Sequence, residues 1–218
     1  MPQARTDLNS FATALALRLP GSWTSEYHRH PTYQDQFPTI ERLWDAGHVD
    51  YIVSQYVLGH DAVLNGPAGE QLYVTDRPLY RHQFVVAALE PEGFKPHQIS
   101  PVREPNGIAV PHDPVRAAAA VTRRVLPRFR AALDAVHHNR TLFGCNFQYK
   151  PHEFAFVLPS SYCPKERALL VQLAAQRLML QGIGVNFRRA APLPPPTAAA
   201  ASKVLPAVSS AAKSTSRR

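Results

Sequence analysis

Hydrophobic residues repeat with a helical spacing in two segments of the chain. Residues 114–136 carry one apolar stripe with alternating steps of three and four, and Asp113-Pro114 supplies a cap followed by proline at the first helical position. Pro127 lies inside this stripe and has no N–H to donate, so it should kink or divide the helix. A second apolar pattern covers residues 164–181, just before a glycine. The pattern therefore predicts two principal helices.

Shorter segments alternate apolar and polar residues, or are rich in β-branched and aromatic residues, as strands are. Residues 13–19 alternate and end at Pro20-Gly21, while residues 79–89 place every second side chain on one face. The other predicted strands are residues 72–75, 108–110, 142–149, 153–158 and 183–187. We expect an α+β fold, in which the two main helices pack on a mostly antiparallel sheet.

The region before residue 60 leaves alternatives open. Residues 22–37 have no clear period and are interpreted as a loop, and residues 38–47 predict a short helix. Residues 48–58 combine helical spacing with strand-forming residues, and we favour a helix. A helix-turn-helix over residues 40–58 is a weaker alternative, because Leu43 fills a position that is normally small and Asp50 would repel phosphate.

Charge divides the chain into two parts. The 218 residues have a formal net charge of +8, yet residues 188–218 contain six Lys and Arg and no Asp or Glu, so residues 1–187 are close to neutral. Alanine, proline and serine dominate from residue 190 onwards and cannot cover a core. We predict one globular α+β domain over residues 1–187 and a disordered basic tail over residues 188–218.

Composition and apolar run lengths indicate a cytoplasmic protein that does not enter a membrane. The longest apolar run, residues 84–89, is far shorter than the ~20 residues that a membrane-spanning helix needs. The apolar stretch at residues 11–17 is flanked by Asp7 and Arg18 and does not resemble a signal peptide. Two cysteines cannot form a disulfide framework.

Arginines define the first candidate site. Arg116, Arg123 and Arg130 recur every seven residues and so lie near one side of the predicted helix, where Arg124 and Arg128 form a second pair. Such arginines grip a phosphate backbone or an acidic protein face, although solvated arginines that cover an apolar flank would look the same. The tail adds cations that contact phosphates without reading bases, namely Arg188, Arg189, Lys203, Lys213, Arg217 and Arg218.

Histidines define a second candidate site. His28 and His30 share a face if their segment is extended, and an acid–base or metal site would need partners from among His60, Asp61, His112, Asp113 and His152. No H-E-x-x-H or C-x-x-C spacing supports a metal, and no glycine-rich phosphate loop is present, so no cofactor is predicted. Cys163 precedes the second main helix, and we interpret it as a buried, unreactive cysteine.

Together, these features favour a non-enzymatic binding or accessory protein. It would contact nucleic acid, another polyanion or an acidic protein through the arginine-bearing helix and the basic tail. One alternative is an enzyme of unrecognised type that uses His28, His30, His60 or His112 with Asp61 or Asp113. Another is an interaction scaffold in which the proline-rich residues 193–196 dock into an aromatic groove.

Overall fold

Five strands form one antiparallel sheet in which neighbours along the chain are also neighbours in the sheet. A computed structural model describes residues 7–184. The strands in this part of the chain are β1 Thr24–Arg29, β2 His60–Asn65, β3 Gln71–Asp76, β4 Gln83–Ala88 and β5 Ile108–Pro111, and a separate hairpin contains β6 Gln148–Lys150 and β7 Ala155–Val157. The helices are α1 Leu8–Ala16, α2 Phe37–Ile40, α3 His48–Gln55, α4 Pro96–Ile99, α5 Pro114–Arg124, α6 Leu126–Phe143 and α7 Pro164–Leu180. The predicted α+β class is confirmed.

Both faces of the central strands are buried. On one face, Ala62 of β2 lies opposite Val74 of β3, in a core that α1, α5 and α6 cover. On the other face, Val63 lies opposite Tyr73, in a second core that α3 covers. Because neither face meets water, successive middle residues of β2, β3 and β4 are all buried, and the apolar ones among them do not alternate with polar ones.

The first helix replaces a predicted strand. Residues 13–19 were expected to be extended, but α1 covers residues 8–16, so that prediction is wrong. Leu8, Phe11 and Leu15 are buried on one helical face, and the side chain of Asp7 accepts a hydrogen bond of 3.2 Å from the N–H of Ser10 at the start of the helix. The apolar alternation of residues 13–19 is thus the second half of a helical stripe that begins earlier.

The first strand lies where a loop was predicted. Residues 24–29 read Thr-Ser-Glu-Tyr-His-Arg, and this polar segment forms β1 at the edge of the sheet. An edge strand is partly exposed and needs no continuous apolar run, so its polar composition hides it from a hydrophobic pattern. The loop prediction for residues 22–37 is therefore wrong.

Several other boundaries differ from their predictions. The helix predicted over residues 38–47 is only the four-residue α2, so the helix-turn-helix alternative is wrong, whereas α3 confirms a helix within residues 48–58. The strand expected to start at residue 79 starts at Gln83, because Leu79 takes a positive φ of 67° in the turn before it. The strand predicted over residues 142–149 is mostly wrong, because residues 142–143 belong to α6, residues 144–147 are not in a strand, and β6 begins only at Gln148.

Pro127 divides the long helix, as the sequence predicts. Helix α5 ends at Arg124 and α6 begins at Leu126. The buried face continues across the break through Val121, Val125 and Phe129. Val115 and Thr122 belong to the predicted apolar stripe but are exposed.

A small third core joins the C-terminal part of the described chain to α6. Leu142 and Cys145 pack there with Ala174 and Leu178 of α7. Cys163 is exposed, so its interpretation as a buried cysteine is wrong. Residues 183–184 are not in a strand, and the rest of the predicted strand and the whole tail lie outside the described residues. Within residues 7–184, no helix is both long and apolar enough to cross a bilayer.

A close backbone contact locks the loop before β5 to the sheet. A Cβ added at Gly107 would lie 2.8 Å from Ala87 Cβ, from Val49 Cγ2 and from the Val86 carbonyl oxygen. The N–H of Gly107 also donates a hydrogen bond of 2.7 Å to the buried carboxylate of Asp45. Glycine is therefore required at this position by the space available.

We expect Gly107→Ala to lower the free energy of unfolding by about 1–3 kcal/mol, because the new methyl group enters a filled site. Gly184→Ala is the matched control, since a Cβ there meets no atom within 4 Å. Urea denaturation of both variants measures the effect. Equal stability of the two variants would contradict the packing described here.

Candidate functional site

The structure brings His28, His30 and Asp61 together. Antiparallel pairing of β1 with β2 places His28 directly opposite Asp61. The Nδ1 of His28 lies 3.0 Å from Asp61 Oδ1, and the Nε2 of His30 lies 2.9 Å from Asp61 Oδ2. The carboxylate of Asp61 is fully buried, so each of its oxygens accepts a hydrogen bond from one imidazole.

The neighbours of His28 favour its charged form. Burial by itself lowers the pKa of His28, but hydrogen bonds and charges from Asp61 and Glu26 outweigh burial and raise that pKa above the ordinary value of 6.5. Glu26 Oε1 lies 3.3 Å from the second ring nitrogen, so both nitrogens of the imidazole face a carboxylate. The contacts of His28 and His30 with Asp61 therefore stabilise the pairing of the edge strand β1 with β2.

A second chain of polar side chains lies at the same end of the sheet. The hydroxyl of Tyr27 is 2.9 Å from Nδ1 of His60, whose Nε2 is 2.9 Å from Asp76 Oδ2. Because side chains alternate along a strand, His60 and Asp61 belong to opposite faces of the sheet. The two clusters are thus separate, although they meet along one strand.

The other candidates of the histidine site lie elsewhere. His112 contacts His82, with ring centroids 5.5 Å apart, and Asp113 caps α5 by accepting hydrogen bonds from the N–H groups of Val115 and Arg116. His152 is exposed in the hairpin segment between β6 and β7. Among residues 7–184, no group of three or more His, Cys, Asp or Glu is arranged to hold a metal ion. The enzyme alternative stays a prediction.

The five arginines predicted on the long helix differ in whether they have a carboxylate partner within the described residues. Arg130 Nε lies 2.6 Å from Oε1 of Glu70, a buried carboxylate on the loop before β3. The other four arginines are exposed and have no carboxylate partner in the described part of the chain; they are Arg116, Arg123, Arg124 and Arg128. These four are therefore available to an external anion, whereas Arg130 already has an internal one.

A shallow groove that the sequence does not reveal lies along α5, beside Arg18, which follows α1. Its volume is about 410 Å³, and its lining consists of Arg18, Val115, Ala118, Ala119 and Thr122. This set is called the α1–α5 groove below. Arg18 comes just after α1, and its guanidinium donates a hydrogen bond of 2.7 Å to the carbonyl of Ala14.

Two of the predicted arginines flank this groove. Arg116 and Arg123 each follow a lining residue in sequence, Val115 and Thr122, and so lie about 100° further round α5. The groove thus has Arg18 in its wall and two arginines along the α5 side. Arg18 was missed because its role depends on the packing of α1 against α5, which are far apart in sequence.

The predicted tail residues all come after the described part of the chain. Arg188, Arg189, Lys203, Lys213, Arg217 and Arg218 lie outside the described residues, as does the proline-rich segment 193–196. Their roles stay predictions.

No protein-family model, curated protein or solved structure matches this chain.

The raised pKa of His28 makes a testable contribution to stability. A group whose pKa is higher in the folded state stabilises that state below its ordinary pKa, and this contribution is lost as the pH rises through the folded value. His28→Gln keeps a donor for Asp61 but removes the titrating group. We expect wild type to exceed this variant in unfolding free energy most at about pH 5.5, with the difference becoming smaller as the pH rises to about 8.

Urea denaturation at several pH values measures this difference. His152→Gln is the control, because His152 is exposed and has no carboxylate partner in the described residues. A stability difference for His28→Gln that stays constant or grows as the pH rises would show that His28 is not held as described.

Proposed function

We propose that this chain binds a polyanion, foremost the phosphate backbone of a nucleic acid, and acts as a binding or accessory protein rather than as an enzyme. The observation that carries the proposal is the α1–α5 groove. Arg18 lies in its wall and Arg116 and Arg123 flank it, and none of the three has a carboxylate partner within residues 7–184.

The distribution of buried charge supports a positive surface. The described residues contain 17 Lys and Arg and 16 Asp and Glu, which is nearly neutral. The charged residues buried among them are all acids, namely Asp45, Asp61 and Glu70. Backbone N–H groups hold Asp45, imidazoles hold Asp61 and Arg130 holds Glu70. Withdrawing carboxylates into the interior leaves the outer surface more basic than the composition indicates.

The groove suits a backbone ligand rather than a base. Ala118 and Ala119 line it with small side chains, which let a sugar–phosphate chain approach α5 closely. Guanidinium groups donate paired hydrogen bonds to phosphate oxygens, and phosphate contacts carry no sequence information. We therefore expect affinity that depends strongly on salt and weakly on sequence.

Fluorescence anisotropy of a labelled duplex of about 15 base pairs tests the proposal. Affinity is measured at salt concentrations from about 50 to about 200 mM. Arg116→Gln with Arg123→Gln should reduce the slope of log affinity against log salt by roughly two, because two phosphate contacts are lost. Arg29→Gln with Arg103→Gln is the matched control, since it removes two exposed arginines away from the groove and gives the same net charge. Comparing the full chain with a chain truncated after residue 187 tests the predicted contribution of the tail separately.

Two results would overturn the proposal. One is the absence of salt-dependent binding to DNA, RNA or heparin by the full chain. The other is an equal loss of affinity in the Arg116–Arg123 double variant and in the Arg29–Arg103 control. Equal losses would indicate a general effect of net charge rather than binding at the groove.

A further inference from the structure

Aromatic side chains of α4, α6 and the β6–β7 hairpin contact one another and are partly exposed. His97 of α4 contacts Phe143 of α6, with ring centroids 4.7 Å apart. Phe143 contacts Phe156 at 5.2 Å, and Phe156 contacts Tyr149 at 5.2 Å, which links α6 to the hairpin of β6 and β7. We call this set, with Phe94 and its neighbour His137 at 4.9 Å, the aromatic surface.

The rings of the aromatic surface lie at the borders of the hydrophobic cores, where Phe94 packs against the first core and Phe156 against the third. Core rings such as Phe11, Phe84 and Phe129 are at least 98% buried. In contrast, Phe94, Phe143, Tyr149 and Phe156 are all half-buried, and the two histidines are exposed. Rings that are only partly covered keep some of their area available for a ligand.

One phenylalanine of the same hairpin is almost entirely in solvent. Phe154 is 86% exposed, more than any other large hydrophobic residue in the described chain. Its backbone is left-handed, with φ 47° and ψ 39°, a conformation that is unusual for a bulky aromatic residue. Neither core packing nor backbone preference explains an aromatic side chain at this position.

The charged residues in the three segments that carry these rings are mostly positive. Segments 94–99, 137–143 and 148–156 together contain three Lys and Arg, four His and a single acid, Glu153. The guanidinium of Arg140 lies 5.4 Å from the centroid of the Phe94 ring, within cation–π range. Glu153 pairs with Lys150 at 3.2 Å, but both side chains are more than half exposed, so this bond is weak and a phosphate can replace it.

We propose that the aromatic surface and Phe154 bind single-stranded nucleic acid by stacking bases on their rings. Lys95, Arg140 and Lys150 would contact the intervening phosphates. A duplex hides the faces of its bases, whereas a single strand presents them, so this combination of rings and cations favours the single strand. An acidic peptide would match the cations, but its carboxylates do not stack on the rings. The inference rests on the proposed polyanion binding and adds the class of nucleic acid that is bound.

Three oligomers of about 15 units separate the contributions to binding: a single-stranded oligothymidylate, an abasic strand with the same backbone, and a duplex. We expect the full chain to bind the oligothymidylate more tightly than the abasic strand. Phe154→Ala should weaken oligothymidylate binding by about five- to a hundred-fold, because one stacked base is lost, and should leave duplex binding unchanged.

Leu79→Ala is the matched control, because Leu79 is 84% exposed and also has a positive φ, of 67°. Equal affinity for the oligothymidylate and the abasic strand, or equal effects of the two alanine variants, would overturn the stacking inference while leaving the groove proposal intact. Tight binding of an acidic peptide in competition with the oligothymidylate would also overturn it. If neither strand nor duplex binds, the proposed function itself fails.

Discussion

Burial of both faces of the sheet is the constraint on which the rest of this structure depends. Strands β2, β3 and β4 have no face left for water, so polar side chains are confined to strand ends, edges and helix surfaces. The histidine clusters follow from this constraint, because Asp61 and Asp76 stand at the same end of the sheet. Helices α1 and α5 follow too: both are needed to cover one face, and their junction leaves the groove.

The burial of acidic residues also determines which charged side chains remain free at the surface. Asp45, Asp61 and Glu70 are buried, and each has a hydrogen-bonding partner inside the fold, since an unpaired buried carboxylate would be strongly destabilising. The acids thus take part in holding loops and strands together, while Arg116, Arg123, Arg124 and Arg128 remain outside. A nearly neutral composition and a basic binding surface are therefore compatible. The aromatic surface would extend such a surface with rings that remain partly exposed.

Several helices with a regular apolar period were predictable, although that of α1 was mistaken for a strand, and features that depend on distant contacts were not predictable. The division of α5 from α6 could be predicted from Pro127, and the helix within residues 48–58 from its apolar spacing. By contrast, β1 escaped notice because an edge strand tolerates polar residues. The pairing of Arg130 with Glu70 joins residues 60 apart in sequence, so no local pattern could show that this arginine differs from its neighbours.

The difference between Arg130 and the groove arginines offers the most direct measurement. Side-chain Nε–Hε signals in nuclear magnetic resonance spectra report each guanidinium separately during titration with an oligonucleotide. Our account predicts that the signals of Arg18, Arg116 and Arg123 shift, while that of Arg130 stays in place because its Nε already donates to Glu70. Shifts of Arg130 as large as those of the groove arginines, or no shift in any of them, would contradict the account.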